Sequence, residues 1–280
     1  MRILARALTS FAVVGAACVP DLGGFSGGAD GDAGTDALAP PAAPAPVPPP
    51  PDTDAGADAQ ADANVTCVLP TSVQTAHVIY DAPDAGPSSS VALTLTKAQN
   101  AGDFLVVGVN YDQSGCLAVS AIADTAGDAF KAIVAPDSMP GALTLETWGA
   151  SNVGAAAAGD NQITVSFSGA CTAQNVKVAE YASVDVEAPI DTSGSTHGAG
   201  APSPTLTITT THPATLFAHS ADEHSATSAG VGFTLLFIDG WATLAEERTA
   251  PMPGMHLVDY AINQAENWVL QAVALRATCR

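Results

Sequence analysis

From about Val65 onward, Val, Leu, Ile, Phe and Thr recur at every second position, the spacing of a strand with one face buried and one in water. The runs "VALTLT" (91–96), "QITVSFS" (162–168) and "TLTITTT" (205–211) alternate cleanly. They place Val91, Leu93 and Leu95 on one face, Ile163, Val165 and Phe167 on another, and Leu206 and Ile208 on a third. Other runs are apolar almost throughout: "FLVVGV" (104–109), "NVKVAEY" (175–181), "ATLFAHS" (214–220), "FTLLFI" (233–238) and "WVLQAVAL" (268–275). Asp239-Gly240 separates 233–238 from 241–249 by two residues, which predicts a tight type I′ hairpin. No long stretch after Val65 carries a helical period. About a dozen short strands without helices predict an all-β domain of two packed antiparallel sheets, occupying residues 65–280.

The region before it has a different character. Between Asp21 and Asn64 large apolar residues are almost absent, so the segment cannot bury enough surface to offset the entropy of ordering. Residues 18–64 therefore read as a disordered Pro/Ala/Asp/Gly-rich tether. Its middle, "PPAAPAPVPPPP" (40–51), has 8 prolines in 12 residues. Polyproline II at about 3.1 Å per residue gives it a length of roughly 37 Å. Asp52, Thr53, Asp54, Ala55 and Gly56 begin like a calcium loop, but no Glu closes the twelve-residue pattern. Residues 1–17 carry Arg2 and Arg6 ahead of a short apolar stretch containing Leu8, Phe11, Val13 and Val14. That is the pattern of an export signal, too short for a permanent span. Gly15 and Ala17 supply small residues before Cys18. The segment resembles a bacterial lipoprotein signal, which implies acylation of Cys18 and an outer-membrane or cell-surface location, or a periplasmic or secreted one without the lipid.

Composition narrows the partners. The chain has 28 acidic against 8 basic residues, a net charge of −20. Its lysines, Lys97, Lys131 and Lys177, are scattered, whereas nucleic-acid binding needs clustered cations to displace phosphate counterions. Nucleic acid is therefore not an expected partner, and the membrane is expected only through a lipid on Cys18. Of five cysteines, acylated Cys18 leaves four to pair. If strands alternate up and down, Cys116 and Cys171 fall at one end of the sandwich and Cys67 and Cys279 at the other. The expected disulfides are thus Cys67–Cys279 and Cys116–Cys171.

The strand "VAEY" (178–181), the entry "GVGFTLL" (230–236), "LAEE" (244–247) and the closing "NWVLQAVALR" (267–276) resemble jelly-roll, concanavalin-like β-sandwich domains of bacterial envelope and secreted proteins. The resemblance covers about residues 73–277 and implies the fold more than an activity.

Three candidate features carry chemistry. Glu180 and Glu246 share strand parity with apolar neighbours, so both carboxylates point toward the core side, where an unpaired charge is costly. Two such carboxylates are what glycoside hydrolysis requires, although E-x-D-x-E spacing is missing. Trp241, beside the expected hairpin tip, is a candidate sugar or ligand contact, while Trp148 and Trp268 fit the core. "HSADEH" (219–224) lacks the spacing of a zinc site, and no metal or other cofactor is expected. The sequence thus points to an exported, lipid-anchored envelope protein whose sandwich binds an extracellular glycan or protein. Alternatives are a polysaccharide hydrolase using the two glutamates, or a purely structural envelope component.

Overall fold

The structure, a computed structural model, describes residues 65–81, 86–113, 115–139, 143–223 and 225–280. The expected signal, Cys18 and the tether lie outside the described residues, as does His224. The described residues form strands and turns without a helix, and the antiparallel sandwich expected from the alternating runs is observed.

The chain opens with β1 (Cys67–Val68) and continues through eight strands: β2 (Thr71–Asp81), β3 (Ser88–Thr94), β4 (Phe104–Asp112), β5 (Val119–Asp124), β6 (Lys131–Ser138), β7 (Leu143–Ser151), β8 (Gln162–Cys171) and β9 (Ala173–Ala182). Eight more follow: β10 (Ile190–Ala201), β11 (Thr205–Thr210), β12 (Ala214–Asp222), β13 (Ala226–Ala229), β14 (Thr234–Ile238), β15 (Leu244–Ala250), β16 (Gly254–Ile262) and β17 (Glu266–Arg276). The last strand, β18 (Thr278–Cys279), returns to pair with β1.

The first set forms a five-stranded sheet, β2-β9-β4-β7-β6, and a three-stranded sheet, β3-β8-β5. The second forms β10-β17-β12-β15-β14 and β11-β16-β13. Each label in the second set is its counterpart plus eight, so one topology occurs twice. Within each copy, first pairs with eighth, eighth with third, third with sixth, and second with seventh. This is the nesting of a jelly roll in which the fifth strand has joined the larger sheet. The sequence reading placed one two-sheet body over residues 65–280; the chain instead builds two sandwiches in tandem. Inward and outward positions are duplicated but residue identities are not, as "FLVVGVNYD" of β4 and "ATLFAHSAD" of β12 illustrate.

Three apolar layers result. Val91, Leu93, Leu95, Ile163, Val165 and Phe167 meet Leu105, Val107, Val109, Val176 and Val178 inside the first sandwich. Ile208, Leu216, Val258, Tyr260, Trp268 and Leu270 fill the second. Phe104, Val106, Tyr181, Phe217, Val273 and Leu275 form a third cluster, where the two five-stranded sheets pack face to face. β4, β9, β12 and β17 are thus covered on both faces, which is why their sequences read as continuous apolar runs rather than alternations.

The face-to-face packing follows an approximate two-fold relation. β6 lies against β10, where His197 Nδ1 meets Asp137 Oδ1 at 2.8 Å. At the opposite edge β2 lies against β14, where His77 stacks on Phe237 with ring centroids 4.7 Å apart. At the centre β4 meets β12, and a Cβ on Gly108 would stand 2.8 Å from His219 Nδ1. Only glycine permits that approach.

Both expected disulfides form. Cys67–Cys279 joins β1 to β18 across a sequence separation of 212, and Cys116–Cys171 closes the end of the first sandwich across 55. In the chain-entropy account such loops contribute about 4 to 5 kcal/mol each.

Candidate functional site

Glu180 and Glu246 do point inward, as expected, but into different sandwiches. On β9, Glu180 continues the inward row of Val176 and Val178 and is wholly buried. Its Oε1 accepts the Asn100 amide at 3.0 Å and its Oε2 accepts Gln74 Nε2 at 2.5 Å. Burial raises its pKa above the ordinary carboxylate value; the Gln74 and Asn100 bonds oppose the rise and Asp103 adds to it. On β15, Glu246 shares its inward face with Leu244 of the second core. Its Oε2 accepts the Gly230 amide at 2.8 Å, while Oε1 has no hydrogen-bond partner. Burial pushes this carboxyl up to about 8, against the pull of the Gly230 bond and with a contribution from Asp259.

A glycosidase needs its two carboxyls roughly 5 to 10 Å apart across a sugar-holding cleft. Here each is sealed inside its own sandwich with two sheets between them. Shared inward parity thus does not bring Glu180 and Glu246 into a shared interior, because the chain has two.

Trp241 is partly exposed in the β14–β15 connection, and the hairpin differs from the tight turn expected. The loop spans residues 239–243, with Asp239 N donating to Thr243 O and Ala242 N donating to Asp239 O. The left-handed position falls on Ala242 (φ 56°), not Gly240. Asp239 organises it: Oδ1 accepts the amides of Trp241 (2.9 Å) and Thr243 (3.1 Å), and Oδ2 accepts Thr243 Oγ1 (2.6 Å) and Asn175 Nδ2. An Asx turn thus replaces the glycine-driven one. In "HSADEH", His219 faces the interface between sheets, whereas Asp222 bonds the amides of Ser225 and Ala226. Among the described residues no cluster of three His, Cys, Asp or Glu side chains could hold a metal ion.

The polar chemistry of the molecule concentrates instead between the five-stranded sheets. Lys177 on β9 is wholly buried there. Its Nζ donates to Asn110 Oδ1 of β4 at 3.2 Å and to Ser220 O of β12 at 3.0 Å. Burial pushes this amine down to about 8, while the charges of Asp239 and Asp222 pull the other way. His219 bonds Thr147 Oγ1 through Nε2 at 2.8 Å, and Thr147 donates to Gln271 Oε1 at 2.7 Å. Burial, and after it the charge of Lys177, keeps this imidazole neutral. Apart from His219 in "HSADEH", none of these residues stood out in the sequence. A single Lys inside a run covered on both faces is the one local signal that pointed to them.

At the β6–β10 edge of this seam the surface opens into a groove of about 500 Å³. Phe104, Ile133, Pro189 and Ile190 supply its apolar wall, Val186 stands exposed beside it, and Lys131, Glu187, Ser151 and Ser193 supply polar groups. A second groove of about 310 Å³ lies at the β2–β14 edge, lined by Thr71, Ser72, Thr215, Thr234, Glu247 and Arg248. The two occupy equivalent places in the duplicated frame. Lys131 pairs with Gly149 and Gly149 with Val106, just as Thr234 pairs with Glu247 and Glu247 with Phe217. Their lining residues have diverged: one presents Phe104, Ile133 and Ile190 beside Lys131 and Glu187, the other several threonines beside Glu247 and Arg248. Trp241 lines neither. Comparison with family models, with curated proteins and with solved structures found no match.

Proposed function

We propose that this chain is an exported envelope protein, anchored by a lipid on Cys18, whose double sandwich serves as a binding module for an extracellular protein or glycan. The two disulfides are consistent with an extracytoplasmic location, since such bonds persist in oxidising compartments. The groove at the β6–β10 edge carries the binding reading. Its volume is that of a ligand site, its wall is apolar, and Lys131 and Glu187 offer one charge of each sign. An extended protein segment suits it better than a sugar, because Phe104, its aromatic residue, is 3% exposed and offers no open stacking face. A hydrolytic role for Glu180 and Glu246 has lost its geometric basis.

The reading is tested with the full mature protein. Metabolic labelling with a fatty-acid analogue should mark the wild type and not Cys18→Ser, which should leave the membrane fraction. Binding to extracellular protein and glycan preparations should fall at least tenfold in Val186→Arg and Lys131→Glu, both exposed positions. Unchanged binding in both variants refutes the groove, and label retained by Cys18→Ser refutes the anchor.

A further inference from the structure

Lys177 is an unusual buried cation. It is wholly buried, it forms no ion pair among the described residues, and its ammonium nitrogen reaches only two neutral oxygens, Asn110 Oδ1 and Ser220 O. A charge held this way is costly, and the amine answers by shedding its proton. Lowered to about 8, the proton affinity of Lys177 leaves roughly a tenth of the amine neutral, and therefore nucleophilic, at pH 7.

What the amine faces is a carboxamide held in place. Asn110 is 2% exposed. Its Nδ2 donates to Ser220 O at 3.2 Å while its Oδ1 accepts from Lys177. Across the β4–β9 pairing Lys177 stands opposite Gly108 and Asn110 opposite Asn175, so amine and amide occupy diagonal positions that a long side chain spans. Water, the competing nucleophile, is excluded by the packed sheets.

A negative charge also acts on the amine. Asp239 accepts from Asn175 Nδ2 and Thr243 Oγ1, and its negative charge acts on Lys177.

We propose that Lys177 and Asn110 condense into an intramolecular isopeptide bond that staples β9 to β4 inside the seam. The lone pair of Nζ adds to Cγ of Asn110, and the bond from Cγ to Nδ2 breaks. One proton passes from Nζ to Nδ2, and the former amide nitrogen leaves as ammonia. The products are a secondary amide and one ammonia; no electrons are transferred, and no oxidant or cofactor is consumed. The bond closes a loop across a separation of 67 residues and joins strands that each carry packing on both faces.

The experiment uses the exported wild-type protein, reduced, denatured and digested, with peptides read by tandem mass spectrometry. The expected result is a branched peptide joining the segment around Lys177 to the segment around Asn110, lighter than their sum by one ammonia, and absent from Asn110→Ala and Lys177→Met. Two results overturn the proposal. One is a pair of separate peptides of full mass whose Lys177 reacts with an amine reagent after unfolding. The other is an ammonia loss confined to Asn110 as a succinimide, with Lys177 free. The wild-type measurement decides even if both variants fail to fold.

Discussion

Replacing Glu246 with Gln keeps the length of the side chain and an oxygen for the Gly230 amide, but removes the carboxyl whose proton affinity burial has raised. In the unfolded chain a glutamate ionises near 4.5; in the second core burial moves Glu246 to about 8. Between those values the folded state holds a proton that the unfolded state has released, so stability falls as pH rises. The contribution is fully present below 4.5 and lost by the time pH passes 8. Each factor of ten in proton affinity is worth about 1.4 kcal/mol, and the displacement therefore amounts to roughly 3 to 5 kcal/mol across the window. Glutamine contributes no such slope. Its new NH2 group stands where Oε1 has no partner, which adds a cost of about 1 to 3 kcal/mol that does not vary with pH. The readout is therefore the slope of the difference between wild type and Glu246→Gln, measured by denaturant melts with the disulfides intact from pH 4 to 9. The variant should gain on wild type by roughly 3 to 5 kcal/mol from pH 4.5 to 8 and no further beyond it. Parallel stability curves would refute the claim that burial raises the proton affinity of this carboxyl.

Three further outcomes follow from the same coordinates. Gly108→Val forces a side chain into the His219 ring, which a Cβ alone would approach at 2.8 Å, and should cost at least 1 to 3 kcal/mol by overpacking, read as a lowered melting temperature. Tyr181→Phe removes the 2.8 Å hydrogen bond from its hydroxyl to Glu247 Oε2, which ties β9 to β15. It should lose about 1 kcal/mol in denaturant melts. Cys116→Ala with Cys171→Ala opens a loop of separation 55 and should lose roughly 4 kcal/mol, while leaving Cys67–Cys279 protected from thiol reagents in the folded protein.

The sequence displayed the interior of each sandwich better than their number. "VALTLT" and "QITVSFS" stand at the outer three-stranded sheet, one face wet, and their alternation carried through to β3 and β8. The parity argument for the cysteines also held, because each pair closes strand ends on one side. Two strands were opaque. β10, "IDTSGSTHGAGA", carries little apolar character because it is a half-exposed edge strand, and β16 mixes exposed Met255 and Leu257 with buried Val258 and Tyr260, which blurs any period of two. The duplication was hidden for a different reason. A jelly roll is specified by which positions face inward, and dissimilar residues satisfy that requirement equally well. The continuous runs of β4, β9, β12 and β17 did contain the clue, since a strand that is apolar on both sides must be covered on both sides. The seam and its grooves draw Phe104, Lys131, Val186 and Ile190 from separate elements, and no local spacing announces such a meeting.

The tandem architecture is tested most directly by native-state hydrogen exchange followed along the whole chain. Residues 104–112, 173–182, 214–222 and 266–276 should exchange slowest and as one group, because each of these strands is enclosed between two packed layers, while 190–201 and 234–238 exchange fast at the sheet edges. Strong protection confined to residues 71–182, with 214–222 and 266–276 exchanging like surface strands, would contradict two sandwiches joined face to face.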